Sequence, residues 1–327
     1  MSICSLGSAE KQPVFKSYKD AYAYVKENHP EELDLGTVTY KPTDLYKIKQ
    51  EMGEDKILHF ETTWHKMNLT ENTEEIDLNV LDNLAPENIE AYIQICPAVK
   101  KITLTKHYTI KNEKIIEYME KYPDIEFVWM VQIKGRYRLP SNCTAYSTMN
   151  NPNAEGKLQS EDLEVLKYVP GLKALDVGHN KITTLDWLKY CPDLEFLILG
   201  DNKGITDITP IGNLKHLQYL ELFTTGVEDI TPLSNCTEMI DLNLSYCKKL
   251  TDITPLDTMH KLERFWGNHM DGLSEEAKEE FAKTHKNTHC VFKGVHATSE
   301  GWREHERYDH YIKCLKTRVW IPFETKE

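Results

Sequence analysis

Features that would point to a membrane protein or a nucleic-acid-binding protein are missing from the sequence. No apolar run approaches the roughly 20 residues that a membrane-spanning helix needs, and residues 1–10 lack the apolar core of a signal peptide. Basic residues are the minority, with 39 Lys and Arg against 52 Asp and Glu, so the formal net charge is −13. Phosphate groups repel so acidic a chain, and neither nucleic acid nor an anionic membrane surface is expected as a partner.

Paired cysteine motifs are also absent. None of the eight cysteines belongs to a Cys-x-x-Cys pair, and no spacing requires a disulfide. A structural zinc site is therefore not expected, and no other motif indicates a cofactor. We predict buried thiols at Cys96, Cys191, Cys236 and Cys247, which fall on apolar or turn positions of the repeat described next.

What the sequence does contain is a repeat. The tetrapeptide Asp-Ile-Thr-Pro begins at Asp207, Asp229 and Asp252, so successive copies start 22 and 23 residues apart. Each copy follows a Leu-x-x-Leu-x-Leu stretch, with Met239 for the first Leu in the third copy, and a polar turn, which is the pattern of leucine-rich repeats. The central Leu-x-Leu has the period of a short strand with one buried face. These features predict a right-handed α/β solenoid, with a parallel sheet on its concave face and short helical turns on its convex face.

Single positions in the repeat have predictable roles. Asn180 and Asn202 occupy the slot where a buried amide can bond the backbone of neighbouring coils. Thr225 holds the same slot in a later coil, and we expect that coil to be looser because Thr makes fewer hydrogen bonds than Asn. In the tetrapeptide we expect the Thr to cap a short helical turn and the Pro to take its first position.

The repeat phase continues upstream in weaker form and divides the chain into four regions. We expect an irregular N-terminal capping region at 1–86, irregular repeats with an inserted loop at 87–160, regular repeats at 161–273, and a C-terminal cap and tail at 274–327. The loop is assigned to 142–156, and the tail is expected to pack on the cap or to dock a partner. Helices are predicted at 42–52, 86–95 and 274–284, and strands at 57–60, 76–78 and 290–292.

Strand residues that alternate with the buried leucines are expected to face the concave surface, where solenoid proteins dock their partners. Exposed aromatic side chains accompanied by Arg are typical of protein interfaces. The predicted binding residues are Phe127, Trp129, Phe196, Ile198, Tyr219, Glu221, Phe223, Asp241, Arg264 and Trp266. Shielding of these side chains by the inserted loop or the C-terminal tail is the alternative. A protein partner is favoured over a glycan, although Trp and Tyr also suit sugar rings.

Catalysis is not expected from this sequence. The acid or base candidates on the concave columns are Asp176, His179, Glu221, Asp241 and His269. No spacing among them defines a nucleophile, its base and a group that orients the base. The histidines near the C-terminal cap lie on different predicted elements, so no metal site is expected. We predict a monomeric, non-enzymatic binding module without metal or cofactor.

The chain resembles secreted or surface leucine-rich-repeat proteins of anaerobic gut bacteria and, more distantly, the internalins. The resemblance rests on Tyr122–Trp129, Leu172–Asn180, the Asp-Ile-Thr-Pro series, Leu217–Phe223 and Gly301–His305. It implies the repeat fold and an extracellular or cell-surface location. The alternative is a cytoplasmic interaction scaffold similar to phosphatase-regulatory repeat proteins, which often lack disulfides. Free thiols would favour that alternative.

Overall fold

The computed structural model describes residues 13–150, apart from the side chain of Asn150, and residues 156–324. Contacts between Cα atoms divide the chain into two compact units, Met1–Met130 and Val131–Glu327. Each unit contains its own β-sheets. No helix in the described ranges is long and apolar enough to cross a membrane.

The first unit combines a mixed sheet with a small parallel sheet. Its elements are α1 (Tyr18–Asn28), β1 (Glu32–Val38), α2 (Pro42–Met52), β2 (Ile57–Trp64), β3 (Met67–Thr70), β4 (Glu75–Asp77), α3 (Asn88–Ile95), β5 (Lys101–Thr103), α4 (Asn112–Lys121) and β6 (Glu126–Val128). The order β1-β2-β3 forms one sheet and β4-β5-β6 the other. The helix predicted at 42–52 is confirmed as α2, and the helix predicted at 86–95 is confirmed as the slightly shorter α3.

The second unit is a stack of coils, most of which contribute one short parallel strand. Its elements are β7 (Met130–Lys134), β8 (Tyr137–Pro140), β9 (Ala145–Ser147), β10 (Ala174–Asp176), β11 (Phe196–Ile198), β12 (Tyr219–Glu221), β13 (Asp241–Asn243), β14 (Arg264–Trp266), α5 (Glu275–Thr284), β15 (His289–Val291) and α6 (Glu306–Thr317). Strands β9 to β15 form one seven-stranded sheet in chain order. Successive strands of the regular repeats are linked through short 3-10 helices, so the predicted α/β solenoid is confirmed.

Coils of nearly equal length stack in register, which places equivalent leucines side by side. Leu175 lies beside Leu197, Leu197 beside Leu220, and Leu220 beside Leu242. All four are fully buried. Each such side chain contributes about 1.5–3 kcal/mol through removal from water, so the leucine columns are the main source of stability in these coils.

The Asn slot has the role that the sequence predicts. Asn202 accepts a hydrogen bond from the Ile182 amide at 3.0 Å and donates to the Val177 carbonyl at 3.0 Å. One side chain thereby ties its own coil to the coil before it. In a later coil Thr225 donates to the carbonyl of Leu222, within the same coil, at 2.7 Å. The Thr side chain satisfies fewer main-chain groups than the Asn side chain, as expected.

In the three 3-10 helices that carry the tetrapeptide, the cap differs from the prediction. Asp207 Oδ1 accepts a hydrogen bond from the Thr209 amide at 2.8 Å, and Asp229 and Asp252 repeat this bond in their own coils. The hydrogen bond lowers the pKa of Asp207 and of Asp229. The Thr is already the first helical residue, so its free amide needs an acceptor, and the preceding Asp supplies it.

Two further predictions are wrong. The segment 142–156 is not a continuous loop, because β9 lies within it with all three residues buried; residues 151–155 lie outside the described ranges. In β6 the alternation of buried residues is one residue away from the one that places Phe127 and Trp129 on the concave surface, because Phe127 pairs with the buried Ile102. Both regions lack the tetrapeptide that marks the phase in the regular coils.

Candidate functional site

The concave face of the second unit consists of the side chains that point away from the leucine core in β10 to β14. Its residues are Ala174, Asp176, Phe196, Ile198, Tyr219, Glu221, Asp241, Asn243, Arg264 and Trp266. All are buried, and the carboxylates of Glu221 and Asp241 belong to side chains with 0% exposure. The expectation that this face is open to solvent is therefore wrong. Shielding by the C-terminal tail, the alternative, is what the structure contains.

Residues 294–323, called here the C-terminal segment, cover the concave face. A stretch of turns and bends crosses β14 to β12, α6 continues towards β9, and the chain after α6 meets the start of β9. There the Thr144 amide donates to the Arg318 carbonyl at 3.2 Å, and the Trp320 amide donates to Thr144 Oγ1 at 2.7 Å. The expected packing of the tail on the cap is wrong, because its large side chains find their partners on the sheet.

Over β10 to β12 the covering contact is aromatic. The ring centroid of Tyr311 in α6 lies 5.0 Å from that of Phe196 and 5.4 Å from that of Tyr219. Tyr311 also stacks on Trp320 at 5.2 Å, and Phe196 stacks on Tyr219 at 4.4 Å. Such pairs contribute about 0.5–1.5 kcal/mol each beyond the area they bury. This part of the interface is a second apolar core on the opposite side of the sheet from the leucines.

Over β13 and β14 the covering contact is ionic. Arg307 of α6 donates to both carboxylate oxygens of Asp241 at 3.0 Å, and Arg264 donates to the same carboxylate at 2.7 Å. Arg307 donates in addition to Glu263 at 2.6 Å. A buried carboxylate is costly unless it is paired, so Asp241 requires these two guanidinium groups.

Glu221 on β12 joins the aromatic and ionic parts. Its carboxylate accepts from the Trp302 indole at 2.8 Å, from Arg303 at 3.0 Å and from the Tyr219 hydroxyl. Trp302 is fully buried, and its ring packs between Tyr219 and Trp266 with centroid distances of 5.4 and 5.1 Å. A Trp-Arg pair of the C-terminal segment therefore fills the centre of the face.

Side chains on and beside the face also bind the main chain of this stretch. They donate to four of its carbonyls: Asn268 to His296 at 3.1 Å, Asn243 to Ala297 at 2.8 Å, Trp266 to Ser299 at 2.8 Å, and Arg264 to Trp302 at 3.1 Å. Bonds of this kind recognise a peptide backbone rather than particular side chains. Main-chain bonds that give affinity and side-chain pockets that give specificity are combined in peptide recognition.

Burial changes the ionisation of several groups on the face. Desolvation raises the pKa of Asp176 and places the pKa of Tyr219 well above its usual value. It also raises the pKa of Tyr308 to about 12. Burial lowers the pKa of His305, and the positive charge of Arg264 lowers it further. Each shift favours the neutral form, which is the form that a dry interface tolerates.

The remaining predicted binding residues are also buried. Phe223 lies against Gly200, where a Cβ atom would stand 2.3 Å from the Phe ring, so this position requires glycine. Phe127 and Trp129 belong to the first unit, with 5% and 3% exposure. Phe127 stacks on Tyr118 at 6.3 Å, because the shifted register of β6 turns its ring into the interior of that unit. Their predicted exposure is wrong for the same reason.

The acid and base candidates do not form one constellation. His179 contacts Asp201 at 3.1 Å, and His269 contacts the Gly294 carbonyl at 3.0 Å. Asp176 accepts from the Ser147 hydroxyl at 2.7 Å, whereas the other two carboxylates are paired with arginine. In residues 13–150 and 156–324 no group of three or more His, Cys, Asp or Glu side chains is placed to hold a metal ion.

The residues that fill the face were missed by sequence reasoning. They are Trp302, Arg303, Arg307, Tyr311 and Trp320. A signal existed, since Trp302-Arg303 and Arg307 have helical spacing and two acidic residues stand on adjacent strands of the face. The two signals lie far apart in sequence, and neither is periodic, so their pairing needs the tertiary structure.

Comparison with known proteins gives one family match. The family model for leucine-rich repeats, in two copies, matches residues 170–213 and 192–235. No curated protein matches the chain. Among solved structures the chain is similar to internalin C2 of Listeria monocytogenes, at 22% identity and a TM-score of 0.32, over 45% of this chain and 73% of that one. It is also similar to an internalin (inlF) of the same organism, at 15% identity and a TM-score of 0.36, over 86% of this chain and 84% of that one. A leucine-rich-repeat protein of Leptospira interrogans shows 16% identity and a TM-score of 0.40, over 80% of this chain and 72% of that one.

Proposed function

Since the chain is a leucine-rich-repeat protein, with the family match inside its stacked parallel strands, we propose that it is a non-enzymatic recognition module for a protein partner. Solenoids offer an extended sheet surface for interaction, and stacking of repeats makes that surface rigid. The contact residues of the proposal are the predicted ones on the second unit: Phe196, Ile198, Tyr219, Glu221, Phe223, Asp241, Arg264 and Trp266.

The observation that carries the proposal is the row of donors on the concave face. Asn243, Trp266 and Asn268 donate to main-chain carbonyls of the C-terminal segment. The face thus already binds polypeptide, although the polypeptide is its own. Tyr, Trp and Arg dominate the contact, and these are the residues enriched at the energetic centres of protein interfaces.

A polypeptide suits this chemistry better than a glycan. The donors meet four main-chain carbonyl oxygens of one peptide segment, and a sugar does not present such a set of acceptors. The ring of Trp266 on the face packs against Arg264, with the guanidinium carbon 5.6 Å from the ring centroid, and offers no open platform for a sugar ring. A protein partner therefore fits the face, and glycan binding becomes an outcome of the test below.

The location of the protein stays a proposal. The resemblance to secreted or surface repeat proteins supports an extracellular or cell-surface site. The described cysteines, Cys96 to Cys314, are unpaired, and the four predicted buried thiols are confirmed at 0% exposure, while Cys4 lies outside the described residues. Unpaired thiols favour the cytoplasmic scaffold as the second candidate. Titration of free thiols in protein taken directly from its source cell separates the two.

The test of recognition is binding of the purified full chain to a panel of extracellular proteins and glycans. Two variants accompany the wild type: Trp266→Phe removes an indole that donates to a carbonyl on the concave face, and Trp187→Phe removes one that donates to the Thr184 carbonyl elsewhere. We expect Trp266→Phe alone to weaken binding of a protein by about tenfold or more. Equal loss in both variants, or binding of glycans only, contradicts the proposal.

A further inference from the structure

Resting on the proposed function, we propose that residues 294–307, called the strap, are an exchangeable internal ligand. Its place is taken by a partner peptide that presents the pattern Trp-Arg-x-x-x-Arg to the face. The strap supplies this pattern itself with Trp302, Arg303 and Arg307. The inference thus names the chemistry of the partner and explains why an interaction face is covered.

The strap and the rest of the C-terminal segment are held by different forces. Beyond the strap, Tyr311, Leu315 and Trp320 bury large apolar side chains, which contribute about 1.5–3 kcal/mol each. The strap instead contributes one large apolar side chain, Trp302, together with buried ion pairs and bonds to its backbone. A buried ion pair gives little net stability because desolvation offsets the attraction. The strap, which includes the first two residues of α6, is therefore the part that can leave while the rest of α6, around Tyr311, remains anchored.

Unsatisfied polar atoms mark the same stretch. Within the described residues, Arg264 Nη2, Asn268 Oδ1 and Arg303 Nε are buried without a hydrogen-bond partner. All three lie where the strap meets β14 and β12. Each such atom costs about 1–3 kcal/mol, so the strap fits its site less well than the apolar part fits its own. A ligand with better placed polar groups would bind there more tightly.

The charges under the strap indicate which side chains a partner peptide must present. The floor under the strap carries three carboxylates, Glu221, Asp241 and Glu263, against the single guanidinium of Arg264. The two arginines of the strap balance this excess. Its own glutamates at positions 300, 304 and 306 are exposed and make no contact with the floor that the structure records. A partner must therefore direct a Trp and two Arg towards the face, whereas its outward charges are free to vary.

The strap also has a point about which it can turn. Glu300 and Gly301 are both left-handed, with φ of 62° and 88°, and no atom lies within 4 Å of a Cβ placed on Gly301. Two consecutive left-handed residues are unusual, and the Glu pays a steric cost in that region. Release of the strap relieves this conformation.

Exchange is tested with a fluorescent synthetic peptide that has the sequence of residues 294–309. It is titrated into the full wild-type chain and into the full Trp302→Ala/Arg303→Gln variant, whose own strap is weakened. We expect the variant to bind the peptide about tenfold or more tightly than the wild type does. A peptide with Arg303→Gln and Arg307→Gln should lose about tenfold or more, and one with Gln at the three glutamates should not. Equal affinity of all three peptides overturns the proposal.

Hydrogen exchange of the wild-type chain keeps the proposal testable if the variant does not fold. The amides of His296 and Ser299, which donate hydrogen bonds inside the strap, should exchange at least about tenfold faster than those of α6 around Tyr311. Equal protection makes the strap a permanent part of the core and overturns the inference. If the peptide does not replace the strap but the chain still binds a protein partner, the inference is wrong and recognition takes place on another surface. If the peptide does not replace the strap and no protein partner binds either, the proposed function is wrong as well.

Discussion

One segment covers two parts of the concave face, and it does so with different chemistry. Over β10 to β12 the contact is a cluster of stacked aromatic rings, whereas over β13 and β14 it is a set of paired charges around Asp241. Both parts are equally buried. Burial alone therefore does not measure stabilisation: apolar burial supplies free energy, and paired charges supply position and selectivity.

The aromatic part can be broken by Phe196→Ala, the change with the largest expected effect. The Phe196 ring touches Tyr219 of the sheet and Tyr311 and Trp320 of the C-terminal segment. Its removal therefore leaves a cavity between the sheet and that segment. We expect a loss of about 3–5 kcal/mol in the free energy of unfolding, measured by urea denaturation. The loss should not change between low and high salt. A loss below about 1 kcal/mol would show that the aromatic part is not a core.

The ionic part is broken by Asp241→Asn. This change leaves Arg264 and Arg307 buried without their shared anion, and we expect a loss of about 3 kcal/mol. Glu263→Gln is the matched control, because its side chain binds the same Arg307 but is 54% exposed. The control should cost less than about 1 kcal/mol. Similar costs for the two variants would mean that burial does not distinguish these pairs.

The leucine side of the sheet permits a smaller test with the opposite sign. Thr225→Asn installs the residue that ties coils together at position 202. We expect a gain of about 1 kcal/mol, because two or three additional main-chain groups obtain a partner. Thermal unfolding measures it. A lower melting temperature would show that the Thr coil has no room for the amide.

Acidification should weaken the strap. Burial lowers the pKa of His305, so the unfolded chain binds a proton more readily than the folded one. The stability that the neutral His contributes is present above its unfolded pKa of about 6.5 and is lost as the pH falls towards the lower folded value. The protection factors of strap amides, which are corrected for the pH dependence of exchange in an unfolded chain, check this at pH 7.5 and pH 5.5. His305→Gln should abolish the difference in protection factor, and a difference that persists in this variant contradicts the assignment.

In the first unit we expect a pH effect on stability that is opposite in sign to that of His305 and the smallest of those predicted here. His59 lies 2.8 Å from Glu71 and 3.1 Å from Glu32, and the hydrogen bond to Glu71 raises its pKa. Its contribution is fully present below an unfolded pKa of about 6.5 and is lost as the pH rises through the higher folded value. The side chain is more than one-third exposed, so solvent limits the effect to a few tenths of a kcal/mol. An NMR titration of His59 measures the pKa, and a value below 6.5 contradicts the sign.

How much of the molecule was predictable depends on the repeat. Where Asp-Ile-Thr-Pro marks the phase, the leucine columns and the Asn slot follow from spacing alone. Where it is missing, the sequence predicts a loop in place of β9, and its alternation of buried residues in β6 is wrong by one residue. The Thr cap was wrong even inside the repeat, because the choice between two neighbouring polar side chains depends on which amide is free.

The sequence predicts which residues share the concave face, but it does not predict that the face is buried. Phe196, Tyr219, Glu221, Asp241 and Arg264 do lie together on one face, as alternation along the strands requires. Their exposure was wrong, because nothing in the alternation shows that a distant segment carries the matching side chains. Arg307 and Asp241 are 66 positions apart.

The period of the sequence is enough to predict the solenoid, since it sets the length of each coil and equal coils can stack only in register. The cover of the concave face, apolar in one part and ionic in the other, follows from the folded structure alone. Periodic contacts are encoded locally and repeat along the chain. A single contact between two distant segments depends on complementary shape and charge, which become visible only when the chain has folded.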